Sequence, residues 1–276
     1  MGIVNATPDS FSDAGSHRGL DALLAHGHAL HAAGAALIDV GGESGVTNRP
    51  AVEAEEEIAR VVPVIERLSA AGLTVSVDTW KAEVTLAALA AGAVMVNDVS
   101  GLRDPAMLAV CAAAGAGLVI THTCAAPKEK AFPAYDDLVA DVLAFLAERV
   151  EAAVAAGVER ERILIDPGID LAKTPAQSVE VLRRVGELRP LGRPVLLAVS
   201  RKDFVGAVIG RPPPERLAGT LAAVAAGVDA GTAVLRVHDV AEVVDYLAGR
   251  AALNGSRPVP AELRLAEDLR RVSAGS

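Results

Sequence analysis

The chain has 276 residues, 51% hydrophobic and 22% charged, which is enough apolar material for one large core. Its formal net charge of −9 argues against nucleic acid or an anionic membrane as the main partner, since both require a positive face, and only 3% of its residues carry rings on which bases could stack. Cys111 and Cys124 lack CxxC spacing, no secretory leader pattern precedes the first strand, and no apolar run reaches the roughly 18 to 20 residues of a membrane span, so a cytoplasmic protein with two free thiols is expected.

In chain order, a short apolar strand, Gly2 to Asn5, leads into a polar loop through Asp13 that holds hydroxyls, carboxylates, Pro8 and Phe11. Such a loop suits either a lid or a plain Asx/Pro turn. Further β-rich runs follow at Ala36 to Val40, Thr74 to Asp78, Val94 to Asp98, Gly117 to His122, Ile163 to Asp166, Pro194 to Ser200 and Ala233 to His238. Between and after them lie stretches of helical period: Gly19 to Ala33, Glu53 to Ala71, Lys81 to Ala91, Pro105 to Ala114, Asp136 to Ala156, Pro175 to Leu188, Pro214 to Asp229 and Val240 to Ala251. Glycines such as Gly34, Gly72, Gly92, Gly115, Gly157 and Gly231 punctuate the helix ends.

Eight alternating units, with strands apolar enough to be buried on both faces, predict an α/β fold of the TIM (β/α)8 barrel type, a single domain over residues 1–253. No Gly-rich dinucleotide fingerprint follows the first strand. Residues 254–276 read as a C-terminal linker and a short amphipathic helix from about Pro260 to Val272. The abrupt start raises the expectation that residues upstream of Met1 are missing.

In such a barrel the loops after the strands build the active site, and here the strand ends are strongly polar. They supply Asn5, Asp39 to Ser44, Asp78, Asn97 and Asp98, His122, Asp166, Ser200-Arg201-Lys202 and Arg236-Val237-His238. Taken singly, each admits a structural role: Asp78 or Asp98 as a helix cap, Asp39 as a partner to a cation, His122 as a core histidine. Together, Asp78, Asn97 and Asp166 suit a flat heterocycle rich in N–H groups, such as a pterin or a purine. Arg49, Arg201, Lys202, Arg236 and His238 cluster at loop two and strands seven and eight, as an anionic or phosphate-bearing substrate requires. His26, His28 and His31 read as helix surface. His/Cys metal ligation lacks the necessary spacing, so any metal is expected to be Mg²⁺ held through oxygen and phosphate.

The motifs Met1 to Asp13, Ile38 to Ser44, Ser76 to Thr79, Asn97 to Val99, Ile165 to Gly168, Ser200 to Lys202, Arg216 to Thr220 and Arg236 to Asp239 resemble, in order and spacing, those of the dihydropteroate synthase family. The resemblance covers almost the whole chain. It implies a barrel that binds a pterin diphosphate through Asp78, Asn97, Asp166 and Lys202, with Asn5, Arg49, Arg236 and His238 at the pyrophosphate and Asn5 on Mg²⁺. It also implies a cytoplasmic homodimer whose substrates are the pterin diphosphate and p-aminobenzoate, with Asp78, Asp166 and Lys202 catalytic. Phe11, Pro50, Leu171 and Asp203 fall at the arylamine subsite.

Departures from the family pattern concentrate at that subsite. Loop two, Gly42 to Ala51, carries three extra residues and loses a glycine after Arg49-Pro50; Leu171 replaces a ring; Asp203 replaces a small hydroxyl residue and is expected to repel a carboxylate-bearing arylamine. These departures resemble those of divergent second paralogues in actinobacteria. Two other readings therefore accompany the synthase: a pterin-binding paralogue with lost or altered arylamine specificity, and a folate-dependent methyltransferase of the same superfamily.

Overall fold

A computed structural model describes residues 1–7, 17–45, 50–266 and 269–270. Among the described residues eight strands alternate with helices: β1 (Gly2–Asn5), α1 (His17–Ala32), β2 (Ile38–Gly41), α2 (Ala54–Ala70), β3 (Val75–Asp78), α3 (Ala82–Ala90), β4 (Met95–Asp98), α4 (Met107–Ala114), β5 (Gly117–Thr121), α5 (Leu138–Ala155), β6 (Ile163–Asp166), α6 (Pro175–Arg184), β7 (Leu196–Ala198), α7 (Asp203–Ile209), α8 (Leu217–Asp229), β8 (Val234–Arg236) and α9 (Val240–Leu253). Strands β1 to β6 pair in sequence order, all parallel, and β7 pairs with β8. Single parallel bridges, Ile165 to Val195 and Gly2 to Val237, join the two groups on both sides. The ring is thereby a TIM barrel whose two weakest seams flank β7 and β8.

Alternation along each strand divides the core in two. Residues such as Val4, Val40, Val77, Val96, Ile120 and Ile165 point outward and pack against the helices. The inward set is apolar at the lower end, where Val119, Leu164 and Leu196 meet Met95 and Val234. At the upper end it turns polar. The register aligns Asn5 with Gly41, Gly41 with Asp78, and Asp78 with Asn97, while Thr121 aligns with Asp166 and Ala198 with Arg236. A polar layer thus crowns a greasy plug, which places the chemistry at the C-terminal mouth.

Local chemistry explains the element ends. Thr174 and Gln177 form a reciprocal capping box at the start of α6, with Pro175 at the first helical position, and the Asp137 carboxylate accepts from Val139 and Ala140 N–H at α5. The helix-terminating glycines foreseen at 34, 72, 92, 115, 157 and 231 all have positive φ. Three expectations are corrected. Helix α7 had no counterpart in the hydrophobic period, because seven residues give too short a window. The helix predicted over Pro175 to Leu188 gives way at Val185 to 3-10 turns through Leu191. The predicted C-terminal helix is not helical over residues 260–266, which are exposed and follow Pro258 and Pro260 with no apolar face packed on the barrel. Among the described residues no helix is long and apolar enough to cross a membrane.

Candidate active site

The polar layer opens into a cleft of about 360 Å³ at the C-terminal mouth. Asn5, Asp78, Asn97, Thr121, Asp166, Lys202, Arg236 and His238 line it, each delivered by a strand or the loop directly after it. A second hollow, about 420 Å³, lies at the opposite end of the barrel beside Arg189, Arg193 and Thr232. It touches none of these strand ends, and the catalytic reading belongs to the upper cleft.

A buried ion network forms the cleft floor. Arg236 donates from Nε to Asp39 Oδ2 at 2.6 Å and from Nη2 to Asp78 Oδ2 at 2.6 Å. Asp39 also accepts from Ser76 Oγ at 2.5 Å and from Asn97 Nδ2 at 3.1 Å. Burial drives the Asp78 carboxyl up to about 7, against the opposing pull of Arg236. Asp166 is likewise raised by burial, although Gly168 N–H donates to it at 2.7 Å and Lys202 and Lys173 lie nearby. Two buried oxygens on cleft-lining residues, Asn97 Oδ1 and Thr121 Oγ1, have no protein partner. Orphaned acceptors of this kind call for a ligand or solvent donor.

The rim is cationic but neutral where His238 sits. Burial, with Arg236 beside it, lowers the His238 imidazole to about 4. The Ser200 hydroxyl oxygen accepts from the His238 backbone N–H at 3.1 Å and lies 3.2 Å from His238 Nδ1, which ties the ring to the end of β7. Lys202 donates to the Ile169 carbonyl at 3.1 Å, which holds its ammonium between β7 and the loop after β6.

Three further lysines brace the loops. Lys173, 2% exposed, sits 2.8 Å from His122 Nδ1 and donates to the Gly168 and Leu171 carbonyls at 3.0 and 3.2 Å. Burial lowers its ammonium to about 7. The stem of loop two is pinned through Glu43, which accepts from Val52 N–H at 3.1 Å and pairs with Lys81 at 2.6 Å and Lys128 at 3.2 Å. Lys81 also pairs with buried Glu57 at 2.5 Å. Trp80 lies beneath both ammonium groups, 5.0 Å from Lys81 and 5.8 Å from Lys128, and lines the cleft.

The structure therefore gathers Asn5, Asp78, Asn97, Asp166, Leu171, Lys202, Arg236 and His238 around one cleft. Phe11 and Arg49 fall outside the described residues. Pro50 is exposed and absent from the cleft wall. Asp203 stands in the first turn of α7, outside the cleft wall, with its side chain 92% exposed and paired with Arg216 at 3.0 Å. Arg201 is held by Asp239 instead of facing substrate. Asp98 closes a buried turn on Ser100 N–H, and His122 serves as the core acceptor for Lys173. Trp80, Lys173 and the Glu43–Lys81 pair were missed. The first carried a signal, since it is the only Trp and stands two residues past a strand end.

Comparison with known proteins agrees with this geometry. The family model described as "Pterin binding enzyme" matches residues 1–238. The dihydropteroate synthase of Bacillus subtilis is 44% identical over 245 residues, covering 88% of this chain and 84% of that protein. The inactive dihydropteroate synthase 2 of Mycobacterium leprae is also 44% identical, over 94% of this chain and 91% of its own length. A solved Xanthomonas albilineans dihydropteroate synthase with 4-aminobenzoic acid superposes with a TM-score of 0.87 at 47% identity, covering 94% of this chain and 93% of that one. A cleft built from these strand ends, in a chain this similar throughout, belongs to the pterin-binding enzymes and, among them, to the dihydropteroate synthase family.

Proposed function

We propose that this transferase condenses 7,8-dihydropterin-6-ylmethyl diphosphate with p-aminobenzoate, giving dihydropteroate and pyrophosphate. The observation that carries this reading is the buried Asn97 Oδ1, an acceptor without a partner in a cleft that also holds Asp78, Asp166 and Lys202. A pterin ring supplies the N–H donors that such acceptors need. Asp78, Asn97, Asp166 and Lys202 hold the ring, with Arg236 and His238 at the pyrophosphate and Arg49 expected to reach it from loop two.

The methylene carbon–oxygen bond breaks and the pyrophosphate leaves with the electron pair. Asp78 and Asp166 stabilise the positive charge left on the pterin and methylene, while Arg236 and neutral His238 hold the leaving oxygens. The arylamine nitrogen then bonds to the methylene carbon and loses its proton. Leu171 and Ile169 offer the apolar wall along which the aryl ring would lie.

The amide oxygen of Asn5, on the cleft wall at the end of β1 beside Thr7, suits a hard cation that arrives on phosphate oxygens. Mg²⁺ held there would neutralise the departing pyrophosphate. Among the described residues no group of three His, Cys, Asp or Glu could cage a metal, which favours a cation bound largely by substrate and water. Action as a cytoplasmic homodimer completes the proposal.

Pyrophosphate release measured with and without p-aminobenzoate tests the reaction. Release that depends on the arylamine supports condensation. Pterin binding by calorimetry with no release would favour the second reading, a paralogue that has lost or changed its arylamine. The similarity to the inactive Mycobacterium leprae protein and the replacement of a ring by Leu171 speak for that alternative.

A further inference from the structure

We propose that Asp39 is a positioning residue that fixes the hydrogen-bond polarity of the cleft floor, turning the Asn97 amide so that its carbonyl oxygen alone faces the ligand. Asp39 is fully buried in the middle of β2, one residue pair below the strand ends, and touches no cleft space itself. Its carboxylate meets three donors: Ser76 Oγ at Oδ1, and Arg236 Nε and Asn97 Nδ2 at Oδ2.

A carboxylate paired with a guanidinium offers only acceptors. The Asn97 side chain can meet it only through NH₂, so the opposite end of the amide, Oδ1, is the atom left buried without a partner. An asparagine by itself is ambivalent, able to present either end to a ligand. Asp39 removes that freedom, and any ring seated on Asn97 must bring an N–H. The same carboxylate holds Arg236 by Nε, which aims Nη2 at Asp78 and aligns two cleft residues at once.

This inference rests on the pterin reading for its ligand, and the experiments separate the two. In the full-length protein, affinity for 6-hydroxymethylpterin, which lacks the pyrophosphate, is measured by calorimetry for wild type, Asp39→Leu, Asp39→Asn and Asn97→Asp. Leucine at position 39 leaves the Asn97 amide free to turn either end to the cleft, and Asp39→Leu is expected to bind at least tenfold more weakly. Asn97→Asp sets two carboxylates face to face and should lose at least as much. In Asp39→Asn, Arg236 Nε, which shares Oδ2 with Asn97, selects the amide oxygen at that place, so the Asn97 NH₂ still meets an acceptor. Affinity should then stay within about threefold of wild type.

Asp39→Leu binding as tightly as wild type, or Asp39→Asn binding as weakly as Asp39→Leu, would overturn the proposal. Should the variants fail to fold, NMR of the wild-type Asn97 side chain still decides it: its NH₂ protons are expected to be protected from solvent exchange before ligand is added, and an unprotected NH₂ contradicts the assignment. A wild type that binds no pterin but shows the protected amide would sink the pterin reading while sparing the role of Asp39.

Discussion

Asp78 carries the sharpest residue-level consequence of burial. Its carboxyl titrates near 7 in the fold but near 4 in an unfolded chain, so the folded state holds an extra proton between those values. Its contribution therefore disfavours folding progressively as pH rises from about 4 to about 7. Asp78→Asn removes that titration, and its stability relative to wild type should improve across this window in denaturant melts at pH 5 and pH 8. An unchanged difference between the two pH values contradicts the raised carboxyl. The same variant should weaken pterin binding, whereas Arg236→Ala should chiefly weaken the diphosphate-bearing substrate; an equal loss with a bare pterin would refute that division. His238, neutral above about 4 and hydrogen-bonded to Ser200 through Nδ1, should be replaceable by Gln with less than about a tenfold loss in diphosphate affinity, and Ala should cost more. Asp203→Ser, at a side chain turned to solvent, should shift the KM for p-aminobenzoate by less than about twofold. Most strand-end residues of the cleft were legible in the sequence because each ends an apolar run. The pairing of Asp203 with Arg216 was not legible, because sequence adjacency to Lys202 does not reveal which way the first turn of α7 points.

At the scale of elements, two loops are held by lysines, one buried and two half-buried, that no hydrophobic period announces. The loop after β6 depends on Gly168, at φ 70°, where an added Cβ would lie 1.9 Å from the His122 carbonyl oxygen. Gly168→Ala should therefore destabilise the protein by about 3 kcal/mol or more in chemical denaturation, through clash and backbone strain together. A loss under about 1 kcal/mol would mean that the loop yields freely. Loop two is fixed at its stem by Glu43 and its two lysines, with Lys128 also donating to the Ser44 carbonyl. Lys128→Met should raise the arylamine KM severalfold while leaving bare-pterin affinity within about twofold. The reverse pattern would detach loop two from the arylamine step. These contacts escaped the sequence because they join residues 85 positions apart in the chain, Glu43 and Lys128, through side-chain geometry alone.

For the molecule as a whole, the barrel was legible because its strands are short apolar runs at regular intervals and its helices stop at glycines that adopt positive φ. Inward and outward positions then follow from simple alternation, which puts Asp78 and Asn97 on the same row as Asn5. The long reach of Arg236 across the mouth to Asp39 and Asp78 was not legible, since it depends on closure of the ring that the β8 to β1 bridge completes. That closure turns scattered strand ends into one site. The central claim is that this site joins a pterin methylene to an arylamine with loss of pyrophosphate. It is tested most directly by pyrophosphate release from the purified chain with pterin diphosphate and Mg²⁺, with and without p-aminobenzoate. Release that rises with the arylamine, together with dihydropteroate formed in equal amount, is the predicted result; tight pterin binding with no arylamine-dependent release would contradict it.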